Sequence, residues 1–166
     1  MPATVTRARI RLLKLLKNLA FHSPFRRFVI YRHGLRFTPE QLCFMIRGLD
    51  ETHSVPGDVA EVGCAGGQTT VFLNKHLDAL GDSKRRYLCL DTFEGFTDDD
   101  IDYEIRNRDK EQFRNRLETS FRLNDVAWFR EMLRWNRVER ADCIPCDICK
   151  FDFPADQKIS FALIDV

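Results

Sequence analysis

The sequence predicts an α/β fold built on a doubly wound parallel sheet, and three observations predict it. The first is the run Gly57-Asp-Val-Ala-Glu-Val-Gly-Cys-Ala-Gly-Gly-Gln-Thr69. It reads as a buried strand, a turn of small residues and the start of a helix. The second is the order of apolar strand-like and helical stretches after residue 57, β-α-β-α-β-loop-β, which belongs to a parallel sheet with crossover helices. The third is that strand after strand closes on an acidic residue: Glu61 beside the glycine turn, then Asp91, Asp147 and Asp165. In such folds ligands sit just past the carboxyl ends of the strands.

The elements follow in order. Residues 8–19 set Ile10, Leu12, Leu13, Leu15, Leu16 and Leu19 among Arg9, Arg11, Lys14 and Lys17, a short basic amphipathic helix. Such a helix suits acidic lipid, but packing on a neighbouring subunit or on this domain is the favoured use. Phe21 to Arg36 is aromatic and basic. Thr38-Pro39-Glu40 places an N-cap before a proline at the first helical turn. The helix it opens runs to about Thr52 and buries Leu42, Met45, Ile46 and Leu49. Pro56-Gly57 turns into the first strand, Val59–Val62, and Thr69 to Leu80 reads as the following helix. Arg86 to Leu90 is a second strand ending at Asp91. Residues 92–123 form a charged, aromatic excursion, helical from about Lys110. Asn124 caps a helix through Trp135. A third strand lies near Ala141–Cys146, and the fourth spans 158–164. The organisation expected is a helical N-terminal extension, residues 1–37, and a cofactor-binding domain, residues 38–166.

Composition narrows the function. The net charge of +1 gives no global reason to expect nucleic acid. The charge is uneven: residues 1–39 hold nine Lys or Arg and no acid, whereas Asp91, Glu94, Asp98, Asp99, Asp100, Asp102 and Glu104 crowd residues 91–104. No apolar run reaches the ~20 residues of a membrane span. Lys14 and Lys17 interrupt the one stretch that resembles a secretory signal. Six cysteines without such a signal suggest reduced thiols and a cytoplasmic setting. The final run, Ile159 to Val166, ends where a ligand-facing loop is expected, so the chain reads as a C-terminally truncated domain.

The glycine turn departs from G-x-G-x-x-G. Ala65 takes the middle glycine position, and no arginine or lysine lies in the turn. A cofactor without a pyrophosphate at this point suits it better than a dinucleotide, and S-adenosylmethionine (SAM) is such a cofactor. A carboxylate at the second strand end can accept from a ribose diol. One after the third strand can take an adenine amino group. The helix N-terminus after Gly67 can meet the methionine carboxylate.

The runs Val55-Pro-Gly-Asp-Val-Ala-Glu-Val-Gly63 through Gly67, Asp91-Thr-Phe-Glu-Gly-Phe96 and Phe161-Ala-Leu-Ile-Asp-Val166 resemble the macrocin O-methyltransferase (TylF-like) family of class I SAM-dependent methyltransferases. The resemblance spans roughly residues 38–166. It implies a Rossmann-like sheet of which about four of seven strands are present. It implies that Glu61, Gly63 and Gly67 line the SAM pocket, that Asp91 holds the ribose and that Asp147 lies near the adenine. It makes Asp165 the first carboxylate of a divalent-metal (Mg²⁺) and catalytic site completed by residues beyond Val166. The implied reaction is methyl transfer to a hydroxyl of a small-molecule acceptor, a sugar or secondary metabolite. The rival readings are a truncated SAM-binding remnant or interaction module without activity and, behind it, a nucleotide-binding oxidoreductase. A homo-oligomer through the N-terminal helices is a further expectation.

Three motifs have plainer uses. Cys143-x-x-Cys146-x-x-Cys149 has the opening spacing of an iron–sulfur run, but Phe153 stands where a fourth cysteine belongs; buried thiols are expected. Asp98-x-Asp100-x-Asp102 resembles a calcium loop, but Tyr103 replaces its glycine; a solvated loop is expected, ahead of a mobile acidic lid. His22, His33, His53 and His76 share no ligand spacing, and His76 is expected to be structural.

Overall fold

The computed structural model describes residues 3–29 and 37–165. His33 and Val166 therefore lie outside the described residues. Two compact units emerge. One comprises residues 32–92 and 129–166, and the other residues 1–31 and 93–128.

The first unit holds the sheet. Strands β1 (Asp58–Val62), β2 (Tyr87–Asp91), β3 (Ala141–Pro145) and β4 (Ile159–Ile164) are all parallel and ordered β3-β2-β1-β4. The chain thus builds outward from β1 to β3 and then crosses back to lay β4 against β1. That reversal is the switch point at which doubly wound sheets bind ligands. The expected strands are all present, within a residue at each end.

Alternation along β1 gives the sheet two faces. Ala60 and Val62 pack with Leu88 and Leu90, joined by Ile144, Ile148, Phe151 and Ile159. Val59 and Glu61 face the other way, in register with Tyr87 and Cys89. Helix α3 (Pro39–Glu51) packs on β4 there, and Gly48 makes the approach possible: a Cβ on it would stand 2.5 Å from the Phe161 ring. The start of α3 is as expected. Thr38 accepts from the Gln41 amide while the Gln41 side chain accepts from the Thr38 amide, a reciprocal cap. At the amino ends of the strands a polar groove is lined by residues such as His53, Asp58, Asp82, Arg86, Asp156 and Lys158. Its firmest tie is the buried Arg85–Asp82 ion pair, 2.5 Å. Burial opposes ionisation of Asp82, but the Arg85 side chain and the Arg85 and Lys84 amides hold its pKa below the usual carboxylate value.

The second unit joins the N-terminal segment to the excursion. Helix α1 (Ala3–Phe21) is longer than the 8–19 expected, and a short α2 (Arg26–Val29) follows. Helix α5 (Asp98–Arg108) corrects the reading of the acidic run. Asp98, Asp99 and Asp100 form its first turn, where the helix dipole favours negative charge. Thr97 accepts from the Asp100 amide and Asp100 accepts from the Thr97 amide. The run is therefore a capped helix start, neither a solvated loop nor a calcium loop. A 3-10 turn (Glu111–Phe113) and α6 (Arg114–Thr119) complete the excursion. Gly95, φ +90°, lets this backbone pass close to residue 120: a Cβ would sit 2.6 Å from the Ser120 carbonyl. Helix α7 (Val126–Trp135) runs on into the sheet unit. Its start is capped by Asp125, whose carboxylate accepts from the Ala127 and Trp128 amides, and not by Asn124.

Candidate cofactor site

The site is built where β1 ends. The ladder carries the chain one residue past each strand: the Gly63 amide donates to the Leu90 carbonyl, Cys146 to Asp91, and Asp165 to Val62, each at 2.9 Å. Gly63, Asp91, Cys146 and Asp165 therefore stand in one row along the carboxyl edge. From Gly63 the turn takes three alternate residues through positive φ: Gly63 at 86°, Ala65 at 46° and Gly67 at 75°. Ala65 holds a conformation disfavoured for a residue with a Cβ. Its amide is fixed in return by the Asp91 carboxylate, which accepts from it at 2.9 Å. Asp91 thus braces the turn from the neighbouring strand.

Gly67 then caps α4 (Gln68–Ala79) with no side-chain bond. The amides of a helix's first turn have no partners within the helix, and here no capping side chain covers them. A Cβ on Gly66 would meet nothing within 4 Å, so the turn looks onto open space. Gly67 is different. A Cβ there would collide with Met132 and lie 2.7 Å from the Phe129 ring, both on α7. Its glycine is required by the left-handed backbone and by the packing of α7.

Glu61 lies beneath the turn rather than on its surface. It is 2 % exposed, and one carboxylate oxygen accepts from the Thr70 hydroxyl at 2.6 Å and the Tyr87 hydroxyl at 2.7 Å. Burial raises its pKa to about 7. The two hydroxyls pull the value back, while the charges of Asp91 and Asp165 add to the rise. Glu61 ties β1 to β2 and to the first turn of α4, so it supports the cradle from within.

Asp147 follows β3 and caps a 3-10 turn (Ile148–Lys150). Its carboxylate accepts from the Cys149 amide at 3.0 Å and pairs with Lys150 at 2.9 Å. These contacts, the Lys150 bond first, hold its pKa below the usual value. Asp165 is exposed at the end of β4.

A second group lies beside Glu61. The ligand atoms of Glu61, Cys64 and Cys89 are all within 4.8 Å of one another. Cys89 is hydrogen-bonded to the thiols of Cys143, its register partner on β3, and of Cys64. Those two bonds, and then burial, push the Cys89 thiol well up. The bond with Cys89 eases ionisation of Cys64, but burial and the charges of Glu61 and Asp91 outweigh it and push that thiol up to about 11. These are protonated core thiols. Cys143, Cys146 and Cys149 do not gather into a ligand group among the described residues. Cys143 and Cys146 are half-buried and Cys149 is exposed, so the expectation of buried thiols is met by none of the three. His76 is 2.7 Å from Asp50, linking α4 to α3 as a structural histidine.

The donor set fits SAM. The cradle has an uncapped helix N-terminus for a carboxylate, open space over Gly66, and Asp91 at the adjacent strand end. Mg²⁺ takes one or two carboxylates with waters in near-ideal octahedral geometry. Asp165 joins no group of three ligand-type side chains among the described residues.

Sequence reasoning missed Ala65, Thr70 and Tyr87. In the sequence Ala65 shows only as a departure from the glycine pattern. Thr70 and Tyr87 acquire their roles from contacts 9 and 26 residues away in sequence.

Sheet order, switch point and glycine cradle together define a Rossmann-like domain of the methyltransferase type. The macrocin-O-methyltransferase (TylF) family matches residues 45–130, more than half of the chain, and the chain belongs to that family. Among solved structures it resembles the O-methyltransferase NovP, with a TM-score of 0.51 and 20 % identity. The match covers 64 % of this chain and 43 % of NovP, so the chain spans less than half the length of that relative. No curated protein matches.

Proposed function

We propose that this chain is the cofactor-binding part of a SAM-dependent O-methyltransferase acting on a hydroxyl of a small molecule, a sugar or secondary metabolite. The observation that supports this most is the cradle at the end of β1: Gly63, Ala65 and Gly67 in left-handed conformations, braced by Asp91 and opening onto an uncapped helix. Family membership and the likeness to NovP agree with it.

When bound, the cofactor supplies an electrophilic methyl group on a sulfonium centre. The chain's own residues bind and orient it. The α4 amides receive its carboxylate. The backbone at Gly63 and Gly67 lines its path. Asp91 accepts from the ribose hydroxyls while keeping its bond to Ala65, since an ionised carboxylate has about four acceptor positions. Asp147 stands on the adenine side. Glu61 fixes the geometry of the turn. Acceptor alignment and removal of the hydroxyl proton complete the catalytic requirement. Asp165, at the end of β4, is placed to serve that end of the pocket and to act as the first carboxylate of a metal site in a longer chain.

Among the described residues no helix is long and apolar enough to cross a membrane. A cytoplasmic setting is part of the proposal. The test is methyl transfer from labelled SAM to a panel of alcohol acceptors, by this chain and by a longer version carrying the rest of the sheet. The longer version is expected to methylate, to lose activity in chelator and to regain it with Mg²⁺. Asp165→Asn should cut its turnover far more than its SAM affinity. If the longer version binds SAM and transfers nothing, the remnant or interaction-module reading takes its place.

A further inference from the structure

Helix α1 is amphipathic, but its apolar side faces away from its own unit. Leu12, Leu15, Leu16 and Leu19 follow the i, i+3, i+4, i+7 spacing of a single helix face. All four are 52–61 % exposed. The opposite side of the helix is the one that packs. Phe21 is buried, its ring centroid 5.9 Å from that of Trp128. Lys17 lies over the same Trp128 ring, 3.5 Å from its centroid, and donates to the Leu123 carbonyl at 3.0 Å. A helix that only covered its own domain would turn its leucines inward and its lysine outward. Here a cation is partly buried, at a cost visible in its lowered pKa, with burial the main cause, while four leucines stay in water.

The surroundings of the leucine face select its occupant. Arg9 and Arg11 are exposed and flank the leucines on the helix wheel. Residues 1–39 carry nine Lys or Arg and no acid. Phe25 and Phe28, just past the helix, are exposed at 66 % and 71 %. Pairing with a second copy through this face would bring two such basic flanks together with no acid in the segment to offset them. An anionic lipid surface matches both features at once: acyl chains for the leucines, headgroups for the arginines. We infer that α1 is an interfacial membrane helix, lying flat on an anionic bilayer through Leu12, Leu15, Leu16 and Leu19. The expected homo-oligomer through these helices is the rival occupant.

The test is flotation of the full chain with vesicles of phosphatidylcholine alone, or with about one third phosphatidylglycerol. Binding is expected on the anionic vesicles, little on the neutral ones, and less as salt is raised. Leu15→Glu combined with Leu19→Glu should cut the bound fraction at least about tenfold, with an unchanged far-UV spectrum because neither side chain is packed. Arg9→Glu combined with Arg11→Glu should remove the preference for anionic vesicles. Equal binding to both vesicles, binding to neither, or a leucine variant that floats like the wild type overturns the inference. Sedimentation decides for a second copy if the wild type self-associates, the leucine variant does not, and neither floats.

Discussion

Replacing Glu61 with glutamine should change how stability depends on pH far more than it changes the fold. Glu61 is buried, and both of its hydroxyl donors converge on one oxygen. The amide oxygen of glutamine can accept both. The carboxyl titrates near 4.5 in the unfolded chain and at about 7 in the folded one. Its folded value is raised, so the sign is that of an acid that prefers to stay protonated on folding. Below 4.5 both states carry the proton and the group is neutral to stability. Between 4.5 and 7 the unfolded state releases the proton first, and stability falls as pH rises. Above 7 the loss is complete. At 1.36 kcal/mol per pH unit it amounts to about 3 kcal/mol, of which about 2 kcal/mol falls between pH 5 and 8. Urea unfolding of wild type and Glu61→Gln across that range measures it. The variant is expected to gain on the wild type by about 2 kcal/mol over the interval. Parallel stability curves would refute the reasoning, because they would mean that Glu61 ionises as readily folded as unfolded.

Other substitutions probe the rest of the account. Asp91→Ala should weaken SAM binding by roughly 1.5–3 kcal/mol, the loss of charge-assisted hydrogen bonds, measured by calorimetry. Gly67→Val combines a left-handed backbone with a collision against Met132 and Phe129. It should destabilise by at least about 2 kcal/mol in denaturant unfolding even without cofactor; an unchanged unfolding midpoint would refute the packing role. Lys17→Ala removes both the Trp128 contact and the Leu123 bond. It should cost about 1 kcal/mol, read as a lower urea midpoint.

The sheet was legible because β2 and β4 are near-continuous apolar runs bounded by turn residues, although Ala162 and Ile164 of β4 are exposed. The glycine turn was legible because Gly63 and Gly67 must hold positive φ. The acidic run was not. Four aspartates in five residues look solvated, and the cap that makes them helical uses Asp100 where a glutamate or glutamine is the familiar signal. The cue was Thr97, three residues earlier. The role of Glu61 was hidden for a different reason. Its neighbours Thr70 and Tyr87 meet it only after the helix and the second strand have docked, and burial decides its chemistry. What a Cβ on Gly67 would meet was not legible, because that depends on where α7 lies. The leucine face of α1 was visible as a pattern. That it points outward depends on the docking of Lys17 and Phe21 with Trp128.

Calorimetric titration of this chain, in parallel, with SAM, its demethylated product and NAD tests the cofactor assignment most sharply. SAM and its product are expected to bind at one site, Asp91→Ala to weaken both, and NAD to give no saturable heat. Saturable NAD binding with none of SAM would contradict it and make the cradle that of a nucleotide-dependent oxidoreductase.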